Sequence, residues 1–321
     1  MGINVTFDLF WRNNFDLIGP MATQGVGGQV IRYANTASMK SNGQELSIQT
    51  TNIKERDFSW VTNVIFSHVT TEVTSLMSRA TTMDLISGEA SSGFTKEGYP
   101  HRAIFSMPFQ GLNDKGIPTF LNENGVLTST DLNFQNRGDN NYLIYEGPTE
   151  PTVTGSFGNE LRWKNWRLNV FLTYSFGNYV RLDPVFSAKY NDLTAMTKEY
   201  KNRWIQGGDE RTTTVPTILS YRDYITDTNL RRTYNAYNYT SMRTAKGDFI
   251  RMKEISLSYD FPKSILSATP FNNLSLKLQA TNLFLIYADK KLNGQDPEFI
   301  NAGGVAAPIP RQFTMTLKFG L

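Results

Sequence analysis

Apolar and polar residues alternate at every second position over long stretches of this chain, a pattern typical of β-strands with two different faces. The strictest run lies near the end, where Gln312, Thr314, Thr316 and Lys318 separate apolar neighbours. Those neighbours are Phe313, Met315, Leu317, Phe319 and Leu321. The same alternation, in places weaker, predicts further strands over 3–12, 46–53, 58–66, 153–163, 166–176, 255–261 and 274–280. Eight strands are therefore expected.

Strand length and aromatic placement favour strands that cross a membrane. Several runs reach about ten residues, more than the ~5–6 of soluble strands but matched to the ~9–11 that a tilted membrane strand needs. Aromatic residues often lie near the ends of these runs, as an aromatic girdle at each interface requires. They are Trp11, Trp60, Trp163, Trp166, Tyr174, Phe176, Tyr259 and Phe261. No apolar run is long enough for a membrane helix.

The connections between the predicted strands alternate between short and long, as they do in outer-membrane barrels with short periplasmic turns and long extracellular loops. The short links are 54–57, 164–165 and 262–273, and the long ones are 12–41, 70–151, 178–247 and 284–311. With a periplasmic C-terminus, every long link is extracellular. A pair at 103–109 and 117–121 either adds two strands or forms a hairpin within a loop.

These patterns predict an all-β fold, an antiparallel transmembrane β-barrel segment of about eight to ten strands. The alternative is a secreted, soluble β-sandwich, whose strands would also alternate. The long strands and the unequal loops favour the barrel. Polar positions on the strands, namely Asn169, Thr173, Lys277, Gln279 and Thr316, would then line the lumen.

Composition narrows the classes of function. Aromatic residues make up 13% of the chain and charged residues only 19%, below the roughly 25% of soluble domains. The net charge of +3 is spread without a basic block, which argues against a nucleic-acid partner. Without cysteine and with two histidines, thiolate zinc sites and Ser-His-Asp catalysis have little support. We therefore expect no enzyme, no metal site and no cofactor.

Candidate binding residues are concentrated in the longest predicted loop. Aromatic faces beside guanidinium groups suit sugar rings or extended peptides. The candidates for substrate binding are Tyr200, Arg203, Trp204, Tyr221, Tyr234 and Tyr237. The alternative is that these side chains pack the loop on itself. In another loop, Asp296 and Glu298 flank Pro297, where calcium or substrate could bind or the carboxylates could serve loop architecture.

Sequence blocks distributed over nearly the whole chain resemble the C-terminal part of the SusC/RagA family of TonB-dependent outer-membrane proteins. Their order and spacing carry the resemblance. The blocks are Asn35–Glu45, Asp57–Ser67, Gly147–Phe157, Phe171–Arg181, Phe249–Pro262, Ala280–Phe284 with Thr-Asn-Leu-Phe, Gln295–Glu298 and the Pro310-Arg311 pair.

The resemblance implies a barrel of about 22 strands closed by an N-terminal plug. Residues 1–321 would form its C-terminal part, and the plug, the TonB-contacting segment and the signal peptide are expected upstream. It also implies outer-membrane location, uptake of oligosaccharides or peptides, and partnership with a SusD-like lipoprotein, TonB and outer-membrane lipid. Two other hypotheses stay open, a secreted carbohydrate-binding β-sandwich and an outer-membrane barrel that transports nothing.

Overall fold

The computed structural model describes residues 2–22, 31–88, 94–138, 140–185, 197–267, 269–300 and 310–320. Its strands are β1 (Gly2–Ala22), β2 (Ile31–Lys54), β3 (Phe58–Leu76), β4 (Ala103–Ser106), β5 (Phe109–Leu112), β6 (Pro118–Leu121), β7 (Leu127–Thr128), β8 (Ile144–Pro148), β9 (Val153–Trp163), β10 (Trp166–Phe176), β11 (Tyr179–Arg181), β12 (Thr244–Lys246), β13 (Phe249–Asp260), β14 (Asn273–Ala288) and β15 (Gln312–Gly320). Its α-helices are α1 (Thr82–Ser87), α2 (Tyr221–Thr226), α3 (Thr228–Tyr237), α4 (Lys263–Leu266) and α5 (Pro297–Ile300). Short 3₁₀ turns occur at Lys198–Asn202, Asp209–Arg211, Ser241–Arg243 and Lys290–Leu292. Within these ranges, no helix has the length and apolar character to cross a membrane.

Eight strands form one antiparallel sheet in the order β1-β2-β3-β9-β10-β13-β14-β15. We call this sheet the wall. Its strand order follows the chain, and each strand overlaps one of the eight strands predicted from alternation. The eight strands belong to one sheet, whereas a sandwich would divide them between two packed sheets. The prediction of an antiparallel barrel segment is therefore confirmed.

The first hairpin is longer than its side-chain pattern predicts. β1 and β2 contain 21 and 24 residues, and their pairing continues from Arg12↔Ser41 to Ala22↔Ile31. The prediction of a long loop over 12–41 is therefore wrong at 12–22 and 31–41, which are strand residues. Strands pair through their backbones, so a hairpin with water on both faces needs no alternation of apolar and polar residues. The added length of β1 and β2 is therefore not visible in the sequence pattern.

The strand register separates the wall into an apolar face and a polar face. Phe7 pairs with Leu46, which pairs with Phe66, and all three belong to the apolar face. On the same apolar face, farther along the sheet, Leu257 of β13 pairs with Leu278 of β14. Apolar side chains on this face remain exposed, with Phe7 at 56% and Leu278 at 49%, so the face is free to meet an apolar environment.

The opposite face of the wall is polar. Asn169 pairs with Ser256, which in turn pairs with Gln279, so these three residues lie in one row. Lys277 pairs with Thr316, two positions away on the same face. Strand alternation adds Thr173 to this set. The five residues predicted to line a lumen therefore share one face.

The short links lie together at one end of the wall. The Lys164 backbone N–H donates a 2.7 Å hydrogen bond to the Asp57 backbone oxygen, which joins two neighbouring links. The Asn272 N–H donates to the Gly320 oxygen at 2.7 Å, so β15 ends at this same end. Trp166 and Tyr259 are in ring contact here, with centroids 4.5 Å apart. An aromatic band therefore marks the end that carries the short links.

The predicted pair at 103–109 and 117–121 does not add strands to the wall. β5 and β6 form a hairpin that β7 extends into a three-stranded sheet, and β4 pairs with β8. Both small sheets lie within the connection from β3 to β9. β11 and β12 form another two-stranded sheet within the connection from β10 to β13. The long connections are therefore folded structures, and a hairpin within a loop is the alternative that the structure adopts.

Candidate functional site

The long connections fold together into one unit at the end of the wall opposite the short links. We call this unit the loop cap, and it comprises the described parts of 77–152, 177–248 and 289–300. Its main hydrophobic core contains Leu85, Phe105 and Phe120 from the first connection. Tyr200 and Tyr237 from the second connection complete the same core. Two segments far apart in the sequence therefore share one apolar interior, which stabilises a defined surface.

Arg181 joins the two long connections at the base of the loop cap. Its guanidinium donates hydrogen bonds to the backbone oxygens of Phe105 at 2.7 Å, Thr240 at 3.2 Å and Ile86 at 3.4 Å, and to the Ser106 hydroxyl at 3.1 Å. Burial lowers the pKa of Arg181 to about 10, while the nearby Glu146 carboxylate opposes that shift. Arg181 therefore remains charged at neutral pH and satisfies buried acceptors from several segments.

Three of the six candidate binding residues lie inside the loop cap. Tyr200, Tyr234 and Tyr237 are buried, with 5%, 1% and 2% of their surfaces exposed. Burial also raises the pKa of Tyr237 to about 12, so its phenol stays neutral. These three rings support the alternative that the tyrosines pack the loop, because buried rings do not present their faces to a solute.

The other three candidates are accessible. Tyr221 is 66% exposed at the start of α2, while Arg203 and Trp204 are half-buried. The Trp204 ring covers Gly116, whose positive φ of 72° and lack of a Cβ allow that close approach. Trp204 Nε1 donates a 3.1 Å hydrogen bond to Glu210 Oε2. The Arg203 guanidinium donates a 3.1 Å hydrogen bond to the backbone oxygen of Tyr200. Arg203 and Trp204 are thus held in fixed orientations.

A polar cavity of about 500 Å³ lies beside Arg203. Asp209, Thr213 and Val215 contribute to its lining. The Thr213 hydroxyl donates to the Asn202 backbone oxygen, and Asp209 Oδ2 accepts the Ile205 N–H at 3.0 Å. The volume is within the range of small-ligand sites. Arg203, one of the predicted binding residues, thus lines this cavity.

Asp296 and Glu298 form an ion cluster with the polar face of the wall. Asp296 pairs with Arg251, and both side chains are at least nine-tenths buried. Glu298 lies 3.2 Å from the Arg251 guanidinium and 3.9 Å from Lys253 Nζ. The two carboxylates are therefore neutralised by cations of the chain, which favours the architectural alternative. No group of three or more candidate metal ligands occurs within the described ranges.

The chain is similar in sequence to known TonB-dependent receptors. No protein-family model matches the chain. TonB-dependent receptor P3 of Formosa agariphila is 25% identical over 324 residues, covering 92% of this chain and 29% of its own length. TonB-dependent receptor P39 of the same organism is 25% identical over 348 residues, covering 95% and 32%. The chain thus spans about a third of the length of the curated relatives that it matches.

Solved structures agree on the fold. The RagAB peptide transporter superposes with a TM-score of 0.73 at 20% identity, covering 99% of this chain and 33% of that one. The RagAB peptide importer in its closed-closed state gives a TM-score of 0.72 at 20% identity and the same coverage. The wall and loop cap therefore have the fold of an outer-membrane transporter barrel segment. The chain's homologues are TonB-dependent receptors, and its resemblance to the SusC/RagA family is confirmed.

Proposed function

We propose that residues 1–321 form a C-terminal wall segment of a TonB-dependent importer in the outer membrane. The observation that supports this most strongly is the two-faced wall, with one exposed apolar face, one polar face and a folded loop cap at a single end. Lipid would contact the apolar face and solute would pass along the polar face. The chain then supplies structure and specific binding, not catalysis.

Further strands would complete the barrel. Among the described strands, β1 pairs only with β2 and β15 only with β14, so the wall has two open edges. Lipid cannot satisfy the backbone groups of an open edge, so a membrane sheet must close. In the importer that we propose, the remaining strands lie between these edges. An N-terminal plug fills the lumen, and TonB supplies the energy that moves it.

The two ends of the wall support an orientation in the outer membrane. Short links belong on the periplasmic side of such barrels and long loops on the extracellular side. We therefore assign the short links and the C-terminus to the periplasm and the loop cap to the cell exterior. An extracellular loop cap is accessible to a SusD-like lipoprotein and to oligosaccharides or peptides. The RagAB transporter, whose fold is similar, carries peptides.

Substrate contact is assigned to the accessible candidates Arg203, Trp204 and Tyr221. Trp204 and Tyr221 offer aromatic surface, and Arg203 adds donors beside the polar cavity. Tyr200, Tyr234 and Tyr237 are buried in the loop cap and are not assigned a substrate contact. Stacking on the accessible rings and hydrogen bonding to Arg203 suit either a sugar ring or an extended peptide.

Paired cysteine substitutions test the membrane wall, because the chain has no native cysteine. Leu278→Cys lies on the apolar face, and Gln279→Cys is its matched control on the polar face. Spin labels on the protein in liposomes should be relaxed mainly by oxygen at position 278 and mainly by a water-soluble nickel complex at position 279. Equal water accessibility at both positions, with recovery in the soluble fraction, would support the secreted sandwich instead.

Uptake separates an importer from a barrel that transports nothing. Cells that lack the protein are complemented with the original form, with Trp204→Ala/Tyr221→Ala, or with Tyr33→Ala as an exposed-tyrosine control outside the loop cap. Growth on oligosaccharide or peptide as sole carbon source should need the protein and should fall at least tenfold in rate with the double variant alone. Normal growth of the deletion strain on both nutrient classes would contradict the importer proposal.

A further inference from the structure

Three neighbouring strands place polar side chains in one row across the apolar face of the wall. Thr50 of β2 pairs with Thr62 of β3, which pairs with Asn159 of β9. Asn159 is two positions before Leu161, which lies in the same row as Leu257 of the apolar face. Since side chains two positions apart in a strand share a face, all three polar residues lie on the apolar face.

Apolar rows border these residues on both sides. Toward the loop cap, Val64 pairs with Phe157. Toward the short links, Trp60 pairs with Leu161. The polar residues therefore form a band one residue high on a face that is otherwise apolar at these positions. Such a band needs a physical reason, because the lipid-facing positions of a barrel strand are normally apolar.

Hydrogen bonds join the polar side chains into one series. Asn52 takes part through a bulge of β2, where the pairing with β3 shifts between Thr51 and Ile53. The Thr50 hydroxyl donates to Asn52 Oδ1 at 2.7 Å, and Asn52 Nδ2 donates to Thr62 Oγ1 at 2.7 Å. The Thr62 hydroxyl donates to Asn159 Oδ1 at 2.8 Å. We call Thr50, Asn52, Thr62 and Asn159 the polar row.

A tryptophan fixes the direction of this series. Trp60 Nε1 donates to Asn159 Oδ1 at 2.8 Å, and an indole N–H can only donate. The Asn159 atom that faces Trp60 and Thr62 is therefore the amide oxygen. Thr62 has a single hydroxyl proton, which it gives to this oxygen, so it must accept from the amide nitrogen of Asn52. The indole thus determines which way both amides point.

The series leaves a donor without an acceptor. Asn159 Oδ1 accepts two hydrogen bonds, whereas no described residue accepts one from Asn159 Nδ2. Asn159 is half-buried, and this nitrogen is not among the buried atoms that lack a partner, so it is accessible at the surface. A donor that faces hydrocarbon without an acceptor is costly. The free group therefore calls for a ligand that offers an oxygen.

The depth of the polar row indicates which ligand is present there. Thr62 lies four residues after Phe58, the first residue of β3. With a rise of about 3.3 Å per residue and a tilt of about 40°, Thr62 is about 10 Å from this end of the wall along the membrane normal. The interfacial layer of a bilayer is about 5–8 Å thick on each side. The polar row is thus close to the level where phosphate and ester groups meet the acyl chains.

We propose that the polar row binds one glycerophospholipid of the leaflet on the side of the short links. Asn159 Nδ2 donates to a phosphate or ester oxygen, which accepts hydrogen bonds and cannot donate them. The acyl chains lie along Val64 and along Phe157, which is 39% exposed. Thr62 and Trp60 are positioning residues that hold the Asn159 amide. The proposal rests on the proposed function, because it requires the apolar face to contact a bilayer.

Native mass spectrometry of the purified protein in detergent can measure the binding of dioleoylphosphatidylethanolamine directly. Asn159→Leu removes the free nitrogen without adding charge. Asn159→Asp replaces that nitrogen by an oxygen and keeps an acceptor for Trp60 and Thr62. Asn63→Leu and Asn63→Asp are the matched controls, because Asn63 is exposed on the polar face and adjoins Thr62 in β3. Heat-dependent migration on gels and unchanged circular dichroism would establish that each variant is folded.

We expect one lipid to bind the original protein and both Asn63 variants with equal affinity, and both Asn159 variants at least tenfold more weakly. A dialkyl ether form of the lipid should bind equally well if the acceptor is a phosphate oxygen and more weakly if it is an ester oxygen. Unchanged affinity in either Asn159 variant would overturn the proposal, as would an equal loss in the Asn63 variants.

Two further results separate this proposal from its alternatives. Asn159 variants that turn a dimer into a monomer, with lipid binding unchanged, would identify the polar row as a contact between two copies of the chain and overturn the lipid site. Spin labels at positions 278 and 279 with equal water accessibility would refute the membrane wall itself. Oxygen accessibility at 278 together with unchanged lipid affinity of the Asn159 variants would refute the lipid site alone.

Discussion

The guanidinium of Arg181 donates a 2.7 Å hydrogen bond to the backbone oxygen of Phe105, which lies 76 residues earlier in the chain. This contact connects β4 with β11, and hence the two largest connections of the loop cap. The same guanidinium also donates hydrogen bonds to the backbone oxygens of Ile86 and Thr240. Several buried acceptors therefore depend on one side chain.

Replacing Arg181 should loosen the loop cap and leave the wall intact. In Arg181→Met the buried acceptors lose their donor, and each unsatisfied group costs about 1–3 kcal/mol. Limited proteolysis of the protein in detergent should cut the loop cap at least tenfold faster, while the β-sheet circular dichroism stays unchanged. Exposed Arg222→Met is the control and should behave as the original. Equal protease resistance of the two variants would contradict this role.

The buried ion pair of Asp296 with Arg251 should hold the start of α5 against the wall. Removing one partner of a buried ion pair costs about 3–5 kcal/mol, because the other charge is left uncompensated. Asp296→Ala should therefore increase hydrogen exchange strongly at 290–300. Glu72→Ala breaks an exposed pair with Lys40, which is worth about 0–1 kcal/mol, and should change little. Equal hydrogen exchange in the two variants would show that this ion pair does not hold α5 in place.

A glycine of β9 should tolerate no side chain. A Cβ on Gly155 would overlap the backbone oxygen of Ile65 and the phenol of Tyr174, which themselves form a 2.9 Å hydrogen bond. Gly155→Ala should lower stability by about 1–3 kcal/mol through overpacking. At Gly158 the nearest atom to a Cβ would be 3.3 Å away, on the Phe171 ring. Thermal unfolding should therefore show a clearly larger decrease for Gly155→Ala than for Gly158→Ala.

Acid should release Trp204 from Glu210. Hydrogen bonds from the Glu210 N–H, Trp204 Nε1 and the Gly208 N–H lower the pKa of this carboxyl. Since the folded pKa lies below the unfolded value of about 4.3, the stabilisation is complete above that value and is lost as pH falls through the folded pKa. The fluorescence difference between the protein and Trp204→Phe should change over that acidic range. Glu210→Gln should abolish the transition, and a transition that persists would contradict the assignment.

The strands of the wall were predictable because two different solvents impose a two-residue period on them. Leu278 and Gln279 are adjacent in sequence but face opposite environments, and this contrast is visible in the residue types alone. The period ends where both faces meet water. Residues 12–22 and 31–41 of the β1–β2 hairpin are therefore predicted as loop, although the structure pairs them as strands.

The interior of the loop cap could not be predicted from residue types. A tyrosine suits a binding surface as well as a core, and only the packing of the connections places Tyr234 and Tyr237 inside while leaving Tyr221 outside. Arg181 looks like a solvated loop cation until Phe105 and Thr240 are brought around it. Nothing local in the sequence indicates such long-range contacts, because they depend on how separate connections fold against each other.

The agreement between strand order in the wall and strand order in the chain has a consequence for how the molecule assembles. Each described strand of the wall after β1 pairs with the wall strand before it in the chain, so the sheet can grow by successive antiparallel additions. The largest interruptions are the connections from β3 to β9 and from β10 to β13. Closing a loop costs only about 0.6 kcal/mol more for each doubling of its length. Longer connections in the loop cap therefore add little to the free-energy cost of forming the sheet. These connections can change in length and chemistry while the wall stays the same.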